Sequence, residues 1–388
     1  MSRNREDIEN LFNEMLKLDK KDVVERLSEI LPFKIKDRDE IEPYGKIFEM
    51  YCHFLKLVFP RSEVVNILNE LLESENLLNK ESYWYLHQKA HILQEEKNQM
   101  SDYYYALAAL KSKNYDLFHI SRGIRIYRSD LYSKKLSNFL NDNMVISKNF
   151  YINNKDSKHV LITSSDPIYF KKYAQIFYHS AIKYGADNEN ITIHFHIINP
   201  DDECFILLNK MPFANYSIER ITLSHFVKKA YYTIPRYSII LDLLSQYKSL
   251  DSFTVFDIDV AFDKNINYFL SSFDKYDIGL VLNGMRENYM LPEWSTICAG
   301  LAFFKNNKKS LDFIRFYNCY VSNVFDFDDC AQNANWLIDQ MALYKAYKLY
   351  LEEKDVKYIS RTSLVIPAQL YPGGKNNFII DYKKIFNL

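Results

Sequence analysis

From His159 onward the sequence alternates short apolar runs with amphipathic stretches, and this alternation constrains the fold more than any other feature. Residues 160–163, 191–198 and 218–223 are short apolar runs with the β-branched content of buried strands. The segments between them carry apolar residues at helical spacing. The alternation predicts a mostly parallel sheet with right-handed crossovers. Ligands of such sheets bind at the carboxyl ends of the strands.

The first 150 residues carry helical stripes instead, such as Val64, Leu68 and Leu71. We therefore predict an all-α helical domain over 1–150 and an α/β domain over 151–388, with the polar stretch 138–158 as their connection. Residues 84–90, with Ala106 and Ala109, weakly resemble a tetratricopeptide-type helical hairpin. Two interpretations stay open: a helical-repeat surface for a protein partner, self-association or a polymeric acceptor, or helices that only pack on a neighbouring domain.

Composition excludes several classes of function. The 388 residues include 49 basic and 50 acidic side chains, for a net charge of -1, so there is no overall attraction to nucleic acid. The five cysteines lack a C-x-x-C pair, which argues against a zinc site or a disulfide framework. The charged amino terminus and the lack of a run approaching ~20 apolar residues predict no signal peptide, no transmembrane segment and a cytoplasmic location.

The stretch 252–262 is expected to form a buried strand that ends in two aspartates, Asp257 and Asp259. Residues two apart on a strand share a face, with Cα atoms roughly 6 to 7 Å apart. Two buried carboxylates repel each other and lose hydration, so a cation is expected between them. Oxygen ligands suit Mn²⁺ or Mg²⁺, which keep sites for water and phosphate. The alternative is a plain turn at the end of a strand, with Asp263 capping the next helix.

Four segments carry a resemblance to a known family. They are T-S-S-D-P-I-Y after the first strand of the α/β domain, the helix with Pro235-Arg236-Tyr237, V-F-D-I-D-V, and I-D-Q-M-A-L from residue 338. In this order they resemble the GT-A fold of nucleotide-sugar glycosyltransferases, and most closely the retaining family 8 group. Only residues 159–388 take part in the resemblance.

The resemblance implies roles for individual residues. Thr163, Ser164 and Asp166 would meet the nucleotide, and Arg236 would face donor sugar or phosphate. Asp257 and Asp259 would hold the metal and Asp257 would also contact the donor, while Asp339 and Gln340 would act beside the anomeric carbon.

Two segments depart from the family pattern. Cys298 stands where the family has asparagine. The family's terminal metal-binding histidine and Gly-x-x-Lys are replaced by Asp381-Tyr382-Lys383-Lys384, after a strand expected at 378–380. Asp381 is our candidate third metal ligand and Lys383 our candidate diphosphate contact; a solvated basic tail is the alternative.

The sequence thus predicts a metal-dependent, retaining transferase that moves a sugar from a nucleotide-diphosphate donor, a UDP-sugar, to a hydroxyl of a glycan or surface-polymer precursor. Two alternatives remain. F-D-I-D-V also resembles the nucleophile motif of haloacid dehalogenase-type phosphatases, with Asp328-Asp329 as a late acidic pair. The third is a non-catalytic helical-repeat scaffold with an inactive transferase-like domain.

Overall fold

The computed structural model describes residues 18–30, 41–73, 80–112, 123–127, 145–186, 189–225, 227–283, 291–325, 335–351 and 355–388, together with Asn10 and Glu14. The helix expected around residues 8–16 lies almost wholly outside this part of the chain. The chain divides into two compact units. Unit 1 is Met1–Ser133 with Asn283–Pro292, and unit 2 is Lys134–Leu282 with Glu293–Leu388.

The described part of unit 1 is helical, as the apolar stripes predict. Its helices are α1 (Lys20–Ile30), α2 (Ile41–Val58), α3 (Arg61–Glu73), α4 (Tyr83–Glu95) and α5 (Met100–Lys111). Helix α4 buries Trp84, whose indole occupies the space that a Cβ at Gly45 would need. Polar groups are buried here as well: Glu49 accepts hydrogen bonds from His87 (2.8 Å) and Tyr83 (3.2 Å).

Unit 2 is built on a central sheet, in agreement with the predicted α/β class. Its strands are β1 (Val145–Tyr151), β2 (His159–Ser165), β3 (Ile191–Ile198), β4 (Ala214–Ile221), β5 (Ser252–Phe256), β6 (Val260–Phe262), β7 (Ile278–Leu282), β8 (Ile297–Lys305), β9 (Val356–Tyr358) and β10 (Val365–Pro367). Eight strands form the sheet in the order β1-β4-β3-β2-β5-β8-β7-β9, and β6 pairs with β10 separately.

The helices of unit 2 connect these strands. They are α6 (Pro167–Lys183), α7 (Asp202–Leu208), α8 (Lys228–Tyr231), α9 (Pro235–Leu243), α10 (Ile266–Ser271), α11 (Glu293–Thr296), α12 (Lys308–Val324), α13 (Ile338–Tyr350) and α14 (Gly374–Phe386). Strands β4, β3, β2 and β5 are mutually parallel, whereas β8 runs antiparallel to β5 and β7. The parallel strands β2, β3 and β5 are buried along nearly their whole length, as expected when helices cover both faces.

Four expectations about elements are wrong. The expected connection 138–158 contains β1, an edge strand that pairs antiparallel with β4. Asp257 and Asp259 do not lie on a strand, because β5 ends at Phe256 and β6 begins at Val260. Residues 378–380 belong to α14, and the cap of α10 is Asn265 rather than Asp263.

Candidate active site

A cavity of about 410 Å³ opens in unit 2 at the carboxyl ends of β2 and β5. Strand β2 ends in Ser164 and Ser165, whereas β5 ends at the apolar Phe256, directly before Asp257. The residues just after both strands line the cavity. This is the edge at which parallel α/β sheets bind ligands. Seven of the ten predicted site residues line it: Ser164, Asp166, Arg236, Asp257, Asp259, Asp339 and Gln340.

The β2 side of the cavity is formed by the turn into α6. Asp166 is the N-cap of this helix, and its Oδ1 accepts a hydrogen bond of 2.7 Å from the backbone N–H of Tyr169. Pro167 takes the first helical position, where its missing N–H costs nothing. Ser164 faces the cavity, whereas Thr163 is fully buried and is not among the lining residues. Ser164 and Asp166 therefore lie where a ligand in the cavity can reach them, and the structure does not bring Thr163 there.

Asp257 is the first residue after β5 and lies next to strand β8. Its backbone N–H donates to the carbonyl oxygen of Gly300 at 2.9 Å, and a Cβ at Gly300 would lie only 2.5 Å from Asp257 Oδ2. Glycine is needed here because the carboxylate approaches the strand so closely. The Asp257 side chain is 26% exposed, so it can reach a ligand in the cavity.

Asp259 is more deeply placed than Asp257. Its backbone oxygen accepts from the N–H of Ala368 at 2.8 Å, and its Oδ2 lies 2.5 Å from the ammonium nitrogen of Lys375. Burial raises the pKa of Asp259, the neighbouring Asp257 carboxylate raises it further, and Lys375 opposes both. The two carboxylates thus repel each other, as the sequence predicts, and a cation beside them relieves that repulsion.

Arg236 joins two of the predicted aspartates. Its guanidinium, on a side chain only 7% exposed, donates to Asp257 Oδ1 and to Asp339 Oδ2, the latter at 2.7 Å. Burial lowers the pKa of Arg236, but the two carboxylates outweigh burial and raise it, so the guanidinium stays charged. Burial also raises the pKa of Asp339, which Arg236 opposes. This Asp-Arg-Asp bridge fixes the relative positions of β5, α9 and α13.

Helix α13 begins in an unusual conformation that presents its first turn to the cavity. Leu337, the residue before the helix, has a φ of 73° in the left-handed region, where a branched side chain is disfavoured. Strain of this kind tends to cluster at functional sites. Gln340 follows one residue after Asp339, and its Nε2 donates to the carbonyl oxygen of Trp294 at 2.9 Å.

Asp381 and Lys383 lie elsewhere. They sit on the exposed surface of α14 and do not line the cavity, and Asp381 accepts a hydrogen bond of 2.9 Å from the hydroxyl of Tyr371. The structure thus does not bring the predicted third metal ligand and diphosphate contact to the cavity, because the strand expected before them is a helix. Helix α14 instead places Lys375, in its first turn, beside Asp259.

Several cavity residues were missed by sequence reasoning. Lys375, Arg361, Lys229 and Trp336 all line the cavity, and the Lys229 ammonium lies 4.2 Å from the centre of the Trp336 ring. A signal for Lys375 was present, since it follows the glycine pair 373–374, both with positive φ, at the start of a helix. Arg361 lies in an irregular loop with no motif around it.

The carboxylate oxygens of the cavity fit a divalent cation that takes only a small number of its ligands from the protein. Within the described residues no group of three or more histidine, cysteine or acidic side chains forms a closed metal site. Mg²⁺ is commonly held by one or two carboxylates, with water and substrate phosphate in the other positions. Asp257 and Asp259 supply such a pair, and the cationic groups of Arg236 and Lys375 now neutralise it.

Comparison with known proteins gives only distant likenesses. No family model matches the chain, and no curated protein matches it significantly. Among solved structures, the apo form of the WbbM bifunctional glycosyltransferase is similar at 13% identity and a TM-score of 0.35, over 60% of this chain and 45% of that one. This chain therefore spans less than half the length of that protein.

Two further structures are covered over 99% of their length. A nucleoside-diphosphate-sugar pyrophosphorylase from Vibrio cholerae RC9 is 16% identical, with a TM-score of 0.36 over 57% of this chain. A glycosyltransferase involved in glycosylation of the major capsid of PBCV-1 is 12% identical, with a TM-score of 0.33 over 59% of this chain. Because each of these three TM-scores lies below 0.5, the residues of the cavity, rather than these likenesses, carry the functional conclusion.

Proposed function

We propose that the chain is a metal-dependent glycosyltransferase whose unit 2 has a GT-A type fold, with a UDP-sugar as donor and a hydroxyl of a glycan or surface-polymer precursor as acceptor. One observation carries the proposal: Asp257, Asp259 and Arg236 meet Asp339 and Gln340 in a single cavity at the ligand-binding edge of the sheet. These residues come from three separate segments of the chain. Their convergence matches the combination that the sequence resemblance predicts.

The charges of the cavity suit a nucleoside diphosphate. Asp257 and Asp259 would hold Mn²⁺ or Mg²⁺, which when bound supplies positive charge to the diphosphate leaving group. Lys375 is already within 2.5 Å of Asp259, so its ammonium can turn to a phosphate oxygen without a large movement of the backbone. Ser164 and Asp166 stand on the β2 side, where the nucleoside would lie.

Asp339 and Gln340 would face the donor sugar. The Asp339 carboxylate is buried and already paired with Arg236, which suits an acceptor of sugar hydroxyls better than a strong general base. A general base must be within reach of the acceptor hydroxyl and free to take its proton. Gln340 has no basic group, but its amide can stabilise charge that develops at the anomeric centre. This arrangement favours transfer with retention of configuration.

We propose unit 1, whose helices α2, α4 and α5 form a packed core of their own, as the surface for the acceptor, a protein partner or a second copy of the chain. Helices that only pack on a neighbouring domain are the alternative. Within the described residues no helix is both long enough and apolar enough to span a bilayer. A cytoplasmic location stays a prediction.

The test is a screen of nucleotide sugars for hydrolysis, and for thermal stabilisation with and without Mn²⁺. A ligand at 100 times its dissociation constant stabilises the folded state by about 2.7 kcal/mol. The proposal expects one UDP-sugar to stabilise and to be hydrolysed only with the metal. Hydrolysis of simple phosphate esters would instead point to the phosphatase alternative. Stabilisation by no nucleotide would favour the scaffold.

A further inference from the structure

Arg361 differs from the other basic residues of the cavity in having neither an ionic nor an aromatic partner among the described residues. Arg236 is paired with Asp257 and Asp339, Lys375 is paired with Asp259, and Lys229 lies over the Trp336 ring. Arg361 lines the same cavity and is half-buried, yet among the described residues it makes no hydrogen bond or ion pair.

Among the described residues no acidic side chain forms an ion pair with Arg361, although Asp257 lines the same cavity. Its guanidinium acts electrostatically on Cys298, whose thiol is buried on β8 beside Ala299. Burial raises the pKa of Cys298 despite the nearby Arg361, so the thiol stays neutral. A guanidinium that lines a cavity and has no protein partner is available to pair with an anionic ligand, which would compensate for the hydration it has lost. Its planar fork of N–H groups matches the two oxygens of a carboxylate or a phosphate.

The sheet order shows which part of a substrate Arg361 would meet. Arg361 follows β9, and Ile359 N–H donates to the Leu280 oxygen of β7 at 3.0 Å. Strands β8, β7 and β9 lie on one side of β5, and β2 lies on the other. Lys375 belongs to the β2 side, because α14 packs on α6 and its ammonium lies 5.2 Å from the centre of the Tyr169 ring. Arg361 therefore reaches the cavity beside Cys298 of β8, on the other side of β5 from Ser164 and Asp166, where the nucleoside is proposed to lie.

We propose that Arg361 binds a carboxylate or phosphate carried by the glycosyl part of the substrates, so that either the donor sugar or the acceptor is an acidic sugar. The placement of the diphosphate in this inference rests on the proposed function. Arg361 is then a specificity-determining residue: it selects an anionic glycosyl unit over its neutral counterpart and takes no part in binding UDP.

Direct detection uses the full-length protein labelled with ¹⁵N-arginine. The Arg361 Nε–H signal is assigned by its loss in Arg361→Lys, and the protein is titrated separately with glucuronate, glucose 6-phosphate, glucose, acetate, and UDP with Mg²⁺. We expect a sugar anion to shift this signal while glucose, acetate and UDP leave it in place. An equal shift with UDP or acetate, or no shift with either sugar anion, would overturn the inference. If UDP binds nowhere on the protein, the proposed function fails, whereas the sugar-anion titration still decides the role of Arg361.

Kinetics then distinguish donor from acceptor. The substrate pairs are UDP-glucose against UDP-glucuronic acid, and octyl glucoside against octyl glucuronide. Arg361→Gln should lower kcat/KM for the acidic member of one pair by about tenfold, the size expected for a hydrogen bond between charged groups, and leave the neutral member unchanged. Arg361→Lys should recover part of that loss. The control is Arg315→Gln, which removes an exposed guanidinium paired with Asp312 on α12 and should change neither pair. Equal losses for both members of each pair would contradict the inference.

Discussion

Replacing Gly300 by alanine tests whether the position of the Asp257 carboxylate determines activity. The new Cβ would lie 2.5 Å from Asp257 Oδ2 and 3.2 Å from its Cγ. Carbon and oxygen atoms in good contact are roughly 3.5 Å apart or more, so the carboxylate must retreat by about 1 Å. It cannot do so freely, because Arg236 holds Oδ1 and the Asp257 N–H is bonded to Gly300 itself.

The expected effect is large on activity and small on stability. Misplacing a reacting group by about 1 Å can cost on the order of 100-fold in rate. Overpacking a site typically costs about 1–3 kcal/mol, and the low end applies here because Asp257 borders an open cavity. The assay is Mn²⁺-dependent hydrolysis of the donor found in the screen, with the free energy of unfolding measured by urea denaturation.

Gly279→Ala on the neighbouring strand β7 is the matched control. There a Cβ would meet the Phe273 ring at 2.3 Å and Phe303 Cβ at 3.2 Å, in a core away from the cavity. This variant should lose stability and keep its activity per folded molecule. If Gly300→Ala kept the wild-type rate, or if Gly279→Ala lost as much activity as Gly300→Ala, the importance of the Asp257 position would be refuted.

Four other variants test three separate parts of the account. Asp257→Asn and Asp259→Asn should fold and lose metal-dependent UDP binding in calorimetry, because each removes a charged ligand at constant size; wild-type affinity with an unchanged metal requirement would contradict this. Lys375→Met should weaken UDP binding by about tenfold, the order expected of a charge-assisted hydrogen bond, and unchanged affinity would remove Lys375 from the diphosphate site. Glu219→Gln should cost about 3 kcal/mol at pH 7 by urea unfolding, since burial raises the Glu219 pKa but contacts with His196 and Lys148 outweigh it and lower the pKa to about 2. Because its pKa is lower in the folded state, ionised Glu219 stabilises the fold fully above about pH 4.5. The difference in free energy of unfolding between wild type and Glu219→Gln should therefore shrink as pH falls toward 2. The same difference at pH 7 and pH 3 would contradict the ion-pair explanation.

The parts of the fold that follow from local pattern were predictable from sequence. Strands β2, β3 and β5 are continuous apolar runs, and a parallel sheet covered on both faces requires such runs. Strand β1 was missed because Ser147, Lys148 and Asn149 make it polar, which is tolerated only at a sheet edge. That position depends on pairing with β4, which the local sequence does not encode.

Helix α14 was misread because Phe378-Ile379-Ile380 has strand propensity. The residues that decide the issue are Phe378, Tyr382 and Phe386, spaced four apart, whose rings pack against one another at 4.7 and 6.1 Å. This is helical spacing, and it buries Phe378 completely. The helical spacing of residues 374–386 is a stronger signal than the strand propensity of three residues within them. It predicts the helix, and with it the correct position of Asp381.

The candidate site likewise combines residues that local sequence motifs predict with residues that only tertiary packing brings to the cavity. Asp257, Asp259 and Asp339 were found from motifs, yet the reason they share a cavity differs from the predicted strand geometry. They converge because a turn between β5 and β6 faces the start of α13, with Arg236 between Asp257 and Asp339. The glycine pair before Lys375 indicates where its helix begins, but neither Lys375 nor Arg361 could be assigned to the cavity from sequence, since each reaches it only through tertiary packing.

The central claim is that Asp257 and Asp259 hold a divalent cation that also contacts a nucleoside diphosphate. Electron–nuclear double resonance on the full-length protein with Mn²⁺ and UDP measures this contact as a ³¹P hyperfine coupling to the metal. The account predicts a strong coupling in the wild type that disappears in Asp257→Asn while the protein stays folded. A wild-type spectrum without ³¹P coupling, or the same protein-dependent coupling in Asp257→Asn, would contradict it.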